Sequence, residues 1–143
     1  MKVHGYCFTL IEMVIVVVII ALLASIATPL YFRHVASSKI TAAKAQIMLL
    51  EQSVNDFRLD IGKPPTQSQG LTVLVEKAGE IEGWKGPYIK GLPLDPWRHE
   101  YVYRYPGIRG EFDILSYGAD GRPGGRDDDA DIGNWVERVA PAQ

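Results

Sequence analysis

Twenty consecutive residues from Met13 to Phe32 carry no formal charge, about the number a helix needs to cross a bilayer. The stretch reads FTLIEMVIVVVIIALLASIATPLYF over residues 8–32, behind a seven-residue leader. One acid, Glu12, sits just inside its N-terminal edge. A carboxylate at the centre of a membrane helix costs roughly 2.5–3.5 kcal/mol, so an acid kept near hydrocarbon marks a functional position. Pro29, inside the helical pattern, removes one backbone hydrogen bond and predicts a kink or local melting near Ser25–Thr28. A cleaved secretory signal is the other reading of this end, since Lys2 precedes the apolar run and Ser25-Ile26-Ala27 is a small-x-small site. Glu12 within the run, its length and the proline directly after it favour a retained anchor.

Beyond the apolar run the chain has the composition of a water-soluble domain. Its 143 residues allow one small domain besides the hydrophobic stretch. The net charge of −2 offers no basic surface for a nucleic acid. The only cysteine is Cys7, in the leader, which rules out a disulfide framework and a thiolate metal cluster.

From Ser38 the apolar spacing becomes amphipathic. Ile40, Ile47, Val54 and Ile61 recur every seven residues, with Ala43, Leu50 and Phe57 between them. This is one stripe of a helix, with Lys39, Lys44, Glu51, Gln52, Asn55 and Arg58 facing away. Gly62 and Pro64-Pro65 stop it. Phe8–Ile61 then makes one kinked helix about 80 Å long. A short helix is expected over Leu71–Lys77. Glu100–Tyr105 and Glu111–Tyr117 alternate as strands and flank the turn Pro106–Gly110, an antiparallel hairpin. Phe112, Ile114 and Ser116 fall on one face of the second strand. The aromatic set Trp84, Tyr88 and Trp97 suits a core better than a ligand cage. The fold class is α+β: a long N-terminal helix, half transmembrane and half amphipathic, packed on a small antiparallel sheet.

The second informative stretch is GADGRPGGRDDDADIGNW, residues 118–135. Five aspartates between Asp120 and Asp131 face only Arg122 and Arg126. Its glycines let the backbone turn tightly enough for carbonyls and carboxylates to converge. Such hard oxygens on a flexible loop suit Ca²⁺ rather than zinc, and a plain solvated acidic loop remains open on the same residues. It is not an EF-hand, because a template started at Asp127 puts Ile132 at the required glycine and Arg138 at the bidentate glutamate. Nor does any catalytic constellation emerge. His99 and Ser116 can be forced into a triad with a nearby acid, but no nucleophile motif surrounds Ser116.

Phe8-Thr9-Leu10-Ile11-Glu12-Met13, the apolar run and Pro29 resemble the signal sequence of type IV pilins and type II secretion pseudopilins. Trp84-Lys85-Gly86-Pro87-Tyr88, Pro93-Leu94-Asp95-Pro96-Trp97 and the segment from Ser116 to Trp135 are similar to the major pseudopilins. The resemblance covers nearly the whole chain. It implies that a prepilin peptidase removes residues 1–7 and methylates the new terminus, which makes Cys7 and Phe8 the processing residues. The family has glycine where Cys7 stands. It implies a hydrophobic assembly helix over 8–32, with Glu12 satisfied by a neighbour's amino terminus, and a region near Pro29 that extends on packing. It implies a periplasmic pilin-like domain over 33–143, with a third short strand and a calcium loop over 117–131. Carried across by position, Asp120, Asp127 and Asp128 give carboxylates, and Tyr117 and Gly125 give backbone carbonyls. Asp129 or Asp131 replaces one of them in an alternative alignment. The implied partners are other copies of the chain, minor pseudopilins, the inner-membrane assembly platform, the peptidase and the membrane. The implied function is a structural, non-enzymatic subunit of the pseudopilus, which drives folded proteins across the outer membrane. A type IV pilin for adhesion or motility, and an anchored calcium-binding domain that never polymerises, are the alternatives.

Overall fold

The computed structural model describes residues 9–135. One long helix, α1, spans Leu10–Ile61. The chain divides into two compact units, Met1–Ala36 and Ser37–Gln143, and α1 contributes to both.

In the first unit, Leu10–Thr28 is long and apolar enough to cross a membrane. Its large side chains, Ile11, Val17 and Leu23 among them, are exposed in the isolated chain. A continuous apolar surface of that extent suits lipid or other apolar helices rather than water. Of the kink or local melting expected near Ser25–Thr28, melting is not seen: the backbone is helical through Pro29. Pro29 has no N–H to give the Ser25 carbonyl. The hydroxyls nearby turn inward, with Ser25 Oγ donating to Leu22 O and Thr28 Oγ1 to Ala24 O, each at 2.7 Å. Such back-bonding keeps polar side chains satisfied within the helix itself.

In the second unit the amphipathic stripe is the core. Ala43, Ile47, Leu50, Val54 and Phe57 are all essentially inaccessible, and Ile40 and Ile61 pack at its ends. Full burial of a side chain such as Leu50 or Phe57 contributes about 1.5–3 kcal/mol. Gly62, at φ +86°, closes α1 by donating its N–H to Arg58 O at 2.7 Å. That left-handed position after the last turn favours glycine, and Pro64-Pro65 prevent continuation. The helix expected over Leu71–Lys77 is only a 3-10 turn, Thr72–Leu74. Its apolar residues Val73 and Leu74 are core residues, and the carbonyl of Leu74 is taken by the N–H groups of Tyr88 and Ile89. Tertiary pairing therefore competes with the helix ladder there.

Three antiparallel strands form the sheet in the order β1 (Val102–Arg104), β2 (Asp113–Ser116), β3 (Ile132–Gly133). Val102 faces Leu115, Arg104 faces Asp113, and Ser116 faces Ile132. The strands are shorter than the alternating runs, and Phe112 lies just outside β2. Central β2 is buried on both faces, Ile114 against the helix-side core and Asp113 and Leu115 opposite it. Asp113 tolerates burial because its carboxylate accepts the N–H of Ile108 at 2.7 Å and of Arg109 at 3.3 Å, fixing the hairpin turn. Trp84 and Tyr88 meet edge to face with centroids 5.9 Å apart, and Trp84 Nε1 donates to Val73 O at 3.0 Å. Trp84, Tyr88 and Trp97 pack on the core.

Candidate functional site

Glu12 and the start of α1 form one candidate site. Glu12 Oε2 accepts from Thr9 N at 3.3 Å and from Thr9 Oγ1 at 3.4 Å, and Glu12 N donates back to Thr9 Oγ1 at 3.3 Å. This is the reciprocal capping box, Thr at the N-cap and Glu three residues later. The Thr-x-x-Glu spacing was legible in the sequence, and sequence reasoning passed over Thr9. Cys7 and Phe8, the expected processing residues, lie outside the described residues. Pro29 sits within the helical backbone of α1.

The acidic loop is the second candidate site. Gly118 and Gly125 bring its two arms together. A Cβ on Gly118 would lie 2.6 Å from Asp128 O, and one on Gly125 would lie 2.3 Å from Asp129 O. Both glycines have positive φ, a conformation other residues adopt at a cost. Ala119 N donates to Asp128 O at 2.9 Å across the same gap. Asp127–Asp129 form a 3-10 turn, with Asp127 itself at φ +54°.

The predicted ligands are placed as follows. Asp120, Asp127 and Asp128 are exposed. The Asp120 carboxylate accepts from Arg122 N at 3.0 Å, and that of Asp131 from Gly124 N at 2.9 Å. Tyr117 keeps its hydroxyl on Arg104 Nη2 at 2.7 Å, leaving its backbone as the metal candidate. Among the described residues, no three acidic, histidine or cysteine side chains are gathered as a metal cluster. The donor types fit a hard cation, since they are carboxylate and carbonyl oxygens on one short loop. The backbone brings the two arms together, while the carboxylates stay apart.

At the base of this loop lies a hydrogen-bonded network, built on buried Asp95 and Ser116 and the partly exposed His99, that sequence reasoning did not assemble. Asp95 Oδ1 accepts from Trp97 N at 3.0 Å and His99 N at 2.8 Å. Asp95 Oδ2 accepts from Ser116 Oγ at 2.6 Å. His99 Nδ1 lies 3.2 Å from Gly118 O; a carbonyl only accepts, so Nδ1 carries the proton. Ser116 therefore gives its proton to the carboxylate, not to the imidazole, and it is fully buried. A nucleophilic triad needs the hydroxyl on the imidazole and the imidazole on the acid. These three residues are arranged otherwise.

Residues 31–135 match the family described as "Type II secretion system (T2SS), protein G". The chain belongs to the type II secretion system protein G family. The type II secretion system core protein G of Pseudomonas aeruginosa is 43% identical over 132 residues, covering 90% of this chain and 93% of that protein. The protein of the same name from Vibrio cholerae is 41% identical, covering 90% of each chain. The crystal structure of the major pseudopilin from the type 2 secretion system of enterohaemorrhagic Escherichia coli is similar with a TM-score of 0.60 at 35% identity. That match covers 69% of this chain and 88% of the other. As a protein G family member the chain is a structural subunit of the pseudopilus with the pilin-like α+β fold, assembling with further copies and other secretion components. The type IV pilin alternative is not favoured by these matches.

Proposed function

We infer that this subunit is anchored in the inner membrane by the apolar part of α1, with its head in the periplasm, and polymerises through that helix. The observation that carries this is the single acid at the start of a 19-residue apolar helix, Glu12 on Leu10–Thr28. Cleavage before Phe8 by a prepilin peptidase would create an α-amino group in an apolar setting. An ammonium and a carboxylate attract far more strongly there than in water, and a buried charge left alone costs several kcal/mol. A subunit entering the fibre would pair Glu12 with the new terminus of a neighbour, which fixes axial register. Its partners there would be the inner-membrane assembly platform and minor pseudopilins. The chain contributes no catalysis, and the work of export comes from elsewhere in the machine.

The acidic loop is proposed to hold Ca²⁺ through the carboxylates of Asp120, Asp127 and Asp128 and the carbonyls of Tyr117 and Gly125. A bound cation there would offset the mutual repulsion of the aspartates. Glycine-enforced approach of the two arms and an all-oxygen donor set support this. A ligand that binds only the folded head raises its stability by mass action.

The test of the pathway is the intact mass of the protein from membranes carrying a prepilin peptidase. A chain beginning at Phe8 and heavier by one methyl group is expected. A chain beginning at Thr28 would sink the filament reading, because the helix that assembles it would be gone. For the loop, thermal unfolding in calcium and in chelator should differ, and identical curves would remove the cation from the proposal.

A further inference from the structure

We propose that buried Asp95 and Ser116, with the partly exposed His99, form an anchor that fixes the entrance of the acidic loop, and so prepare it for a cation that none of the three ligates. The second half rests on the calcium reading above; the first does not. Asp95 is the hub. Its side chain is wholly buried, and its two oxygens accept from three donors, Trp97 N, His99 N and Ser116 Oγ. A buried acceptor-only group with every donor supplied is rigid, since loss of any one leaves a costly unmet partner. This hub joins two segments far apart in sequence, 95–99 and the end of β2, at the point where the loop departs.

The anchor grips Gly118 on both of its backbone groups. Ser116 Oγ, its proton committed to Asp95, accepts from Gly118 N at 3.2 Å. His99 Nδ1 donates to Gly118 O at 3.2 Å. The His99 ring also closes against Gly121, where a Cβ would come within 3.1 Å of it. The next amide, Ala119 N, is the one that holds Asp128 O. Fixing Gly118 therefore places Tyr117 and Asp120 on either side of it and sets the position of the opposite arm. His99, Ser116 and Asp95 are positioning residues. Groups that orient a metal's ligands from behind typically alter affinity tenfold to a hundredfold when removed.

The experiment uses the full chain in detergent micelles, with His99→Ala, His99→Asn, Ser116→Ala and Asp95→Asn. In His99→Asn the side-chain amide N–H can stand close to the place of the imidazole Nδ1 and donate to Gly118 O. Hydrogen exchange at Gly118 and Ala119 is read in chelator, and calcium binding by titration calorimetry. His99→Ala and Ser116→Ala should lose protection at those amides and bind calcium roughly tenfold to a hundredfold more weakly, while His99→Asn recovers most of both. Asp95→Asn should act in the same direction, and if it fails to fold the other variants decide. Unchanged exchange in both His99→Ala and Ser116→Ala overturns the anchor, as does a His99→Asn no better than His99→Ala. Lost protection with wild-type calcium affinity overturns the link to the cation. If the wild type binds no calcium, that reading falls, and exchange alone upholds or overturns the anchor.

Discussion

Thr9 and Glu12 satisfy one another at the first turn of α1, backbone and side chain of each taking part. Glu12 thus has a partner within its own subunit, and under the proposed assembly it would exchange that partner for a neighbour's amino terminus. Glutamine serves a capping box as well as glutamate does. Glu12→Gln should therefore preserve the helix start while removing the charge. Sedimentable pseudopili should be lost in Glu12→Gln as in Glu12→Ala, with the precursor still folded and membrane-bound. Normal fibres from Glu12→Gln would reduce Glu12 to a helix cap.

Asp60, in the last turn of α1, accepts from Lys85 Nζ at 2.7 Å and Tyr88 Oη at 2.9 Å. The hydrogen bond from Lys85, then that from Tyr88, holds the Asp60 carboxyl below its ordinary value, and the same pair raises Lys85. The Asp60 contribution is present above the ordinary carboxylate range and is lost as pH falls through its depressed value. The Lys85 contribution is present below its ordinary value and is lost as pH rises through the raised one. Thermal unfolding of wild type against Asp60→Asn should diverge at neutral pH and converge in strong acid. A difference that persists unchanged below about pH 2 would count against the ion pair.

The glycines of the acidic loop are not equivalent. Gly118 and Gly125 combine positive φ with close backbone across the loop, whereas Gly124 has positive φ and open space. Gly125→Ala should cost more than the ~1–3 kcal/mol of a strained left-handed residue, because the added carbon also meets Asp129. Gly124→Ala should cost no more than that. Denaturant unfolding in chelator measures both, and equal losses would contradict the packing.

Gln67 occupies the free edge of β1. Its Nε2 donates to Tyr103 O at 3.0 Å, and its Oε1 accepts from Tyr105 N at 2.8 Å. Open strand edges template association. Gln67→Ala should lose about 1–2 kcal/mol and should give concentration-dependent light scattering. A variant that scatters like the wild type would mean the edge is guarded by something else.

How far the sequence reaches depends on the range of the interaction. The stripe from Ile40 to Ile61, the stop at Gly62 and Pro64-Pro65, the apolar membrane-length run and the hairpin turn were all legible, because helix and strand periods are properties of the local backbone. Thr-x-x-Glu at the cap belongs to the same class. The Thr72–Leu74 turn was misjudged as a helix because the Leu74 carbonyl is claimed from Tyr88 and Ile89, a contact no local pattern announces. The two-sided burial of β2 likewise follows from what covers Asp113 and Leu115, not from the strand itself. The acidic loop could be recognised by composition. Its anchor could not, since Asp95 and Ser116 meet at 2.6 Å across 21 residues of sequence. Local sequence determined the long helix, its stop and the hairpin; sheet register and packing decided how far the short elements extend and which buried polar groups share a proton.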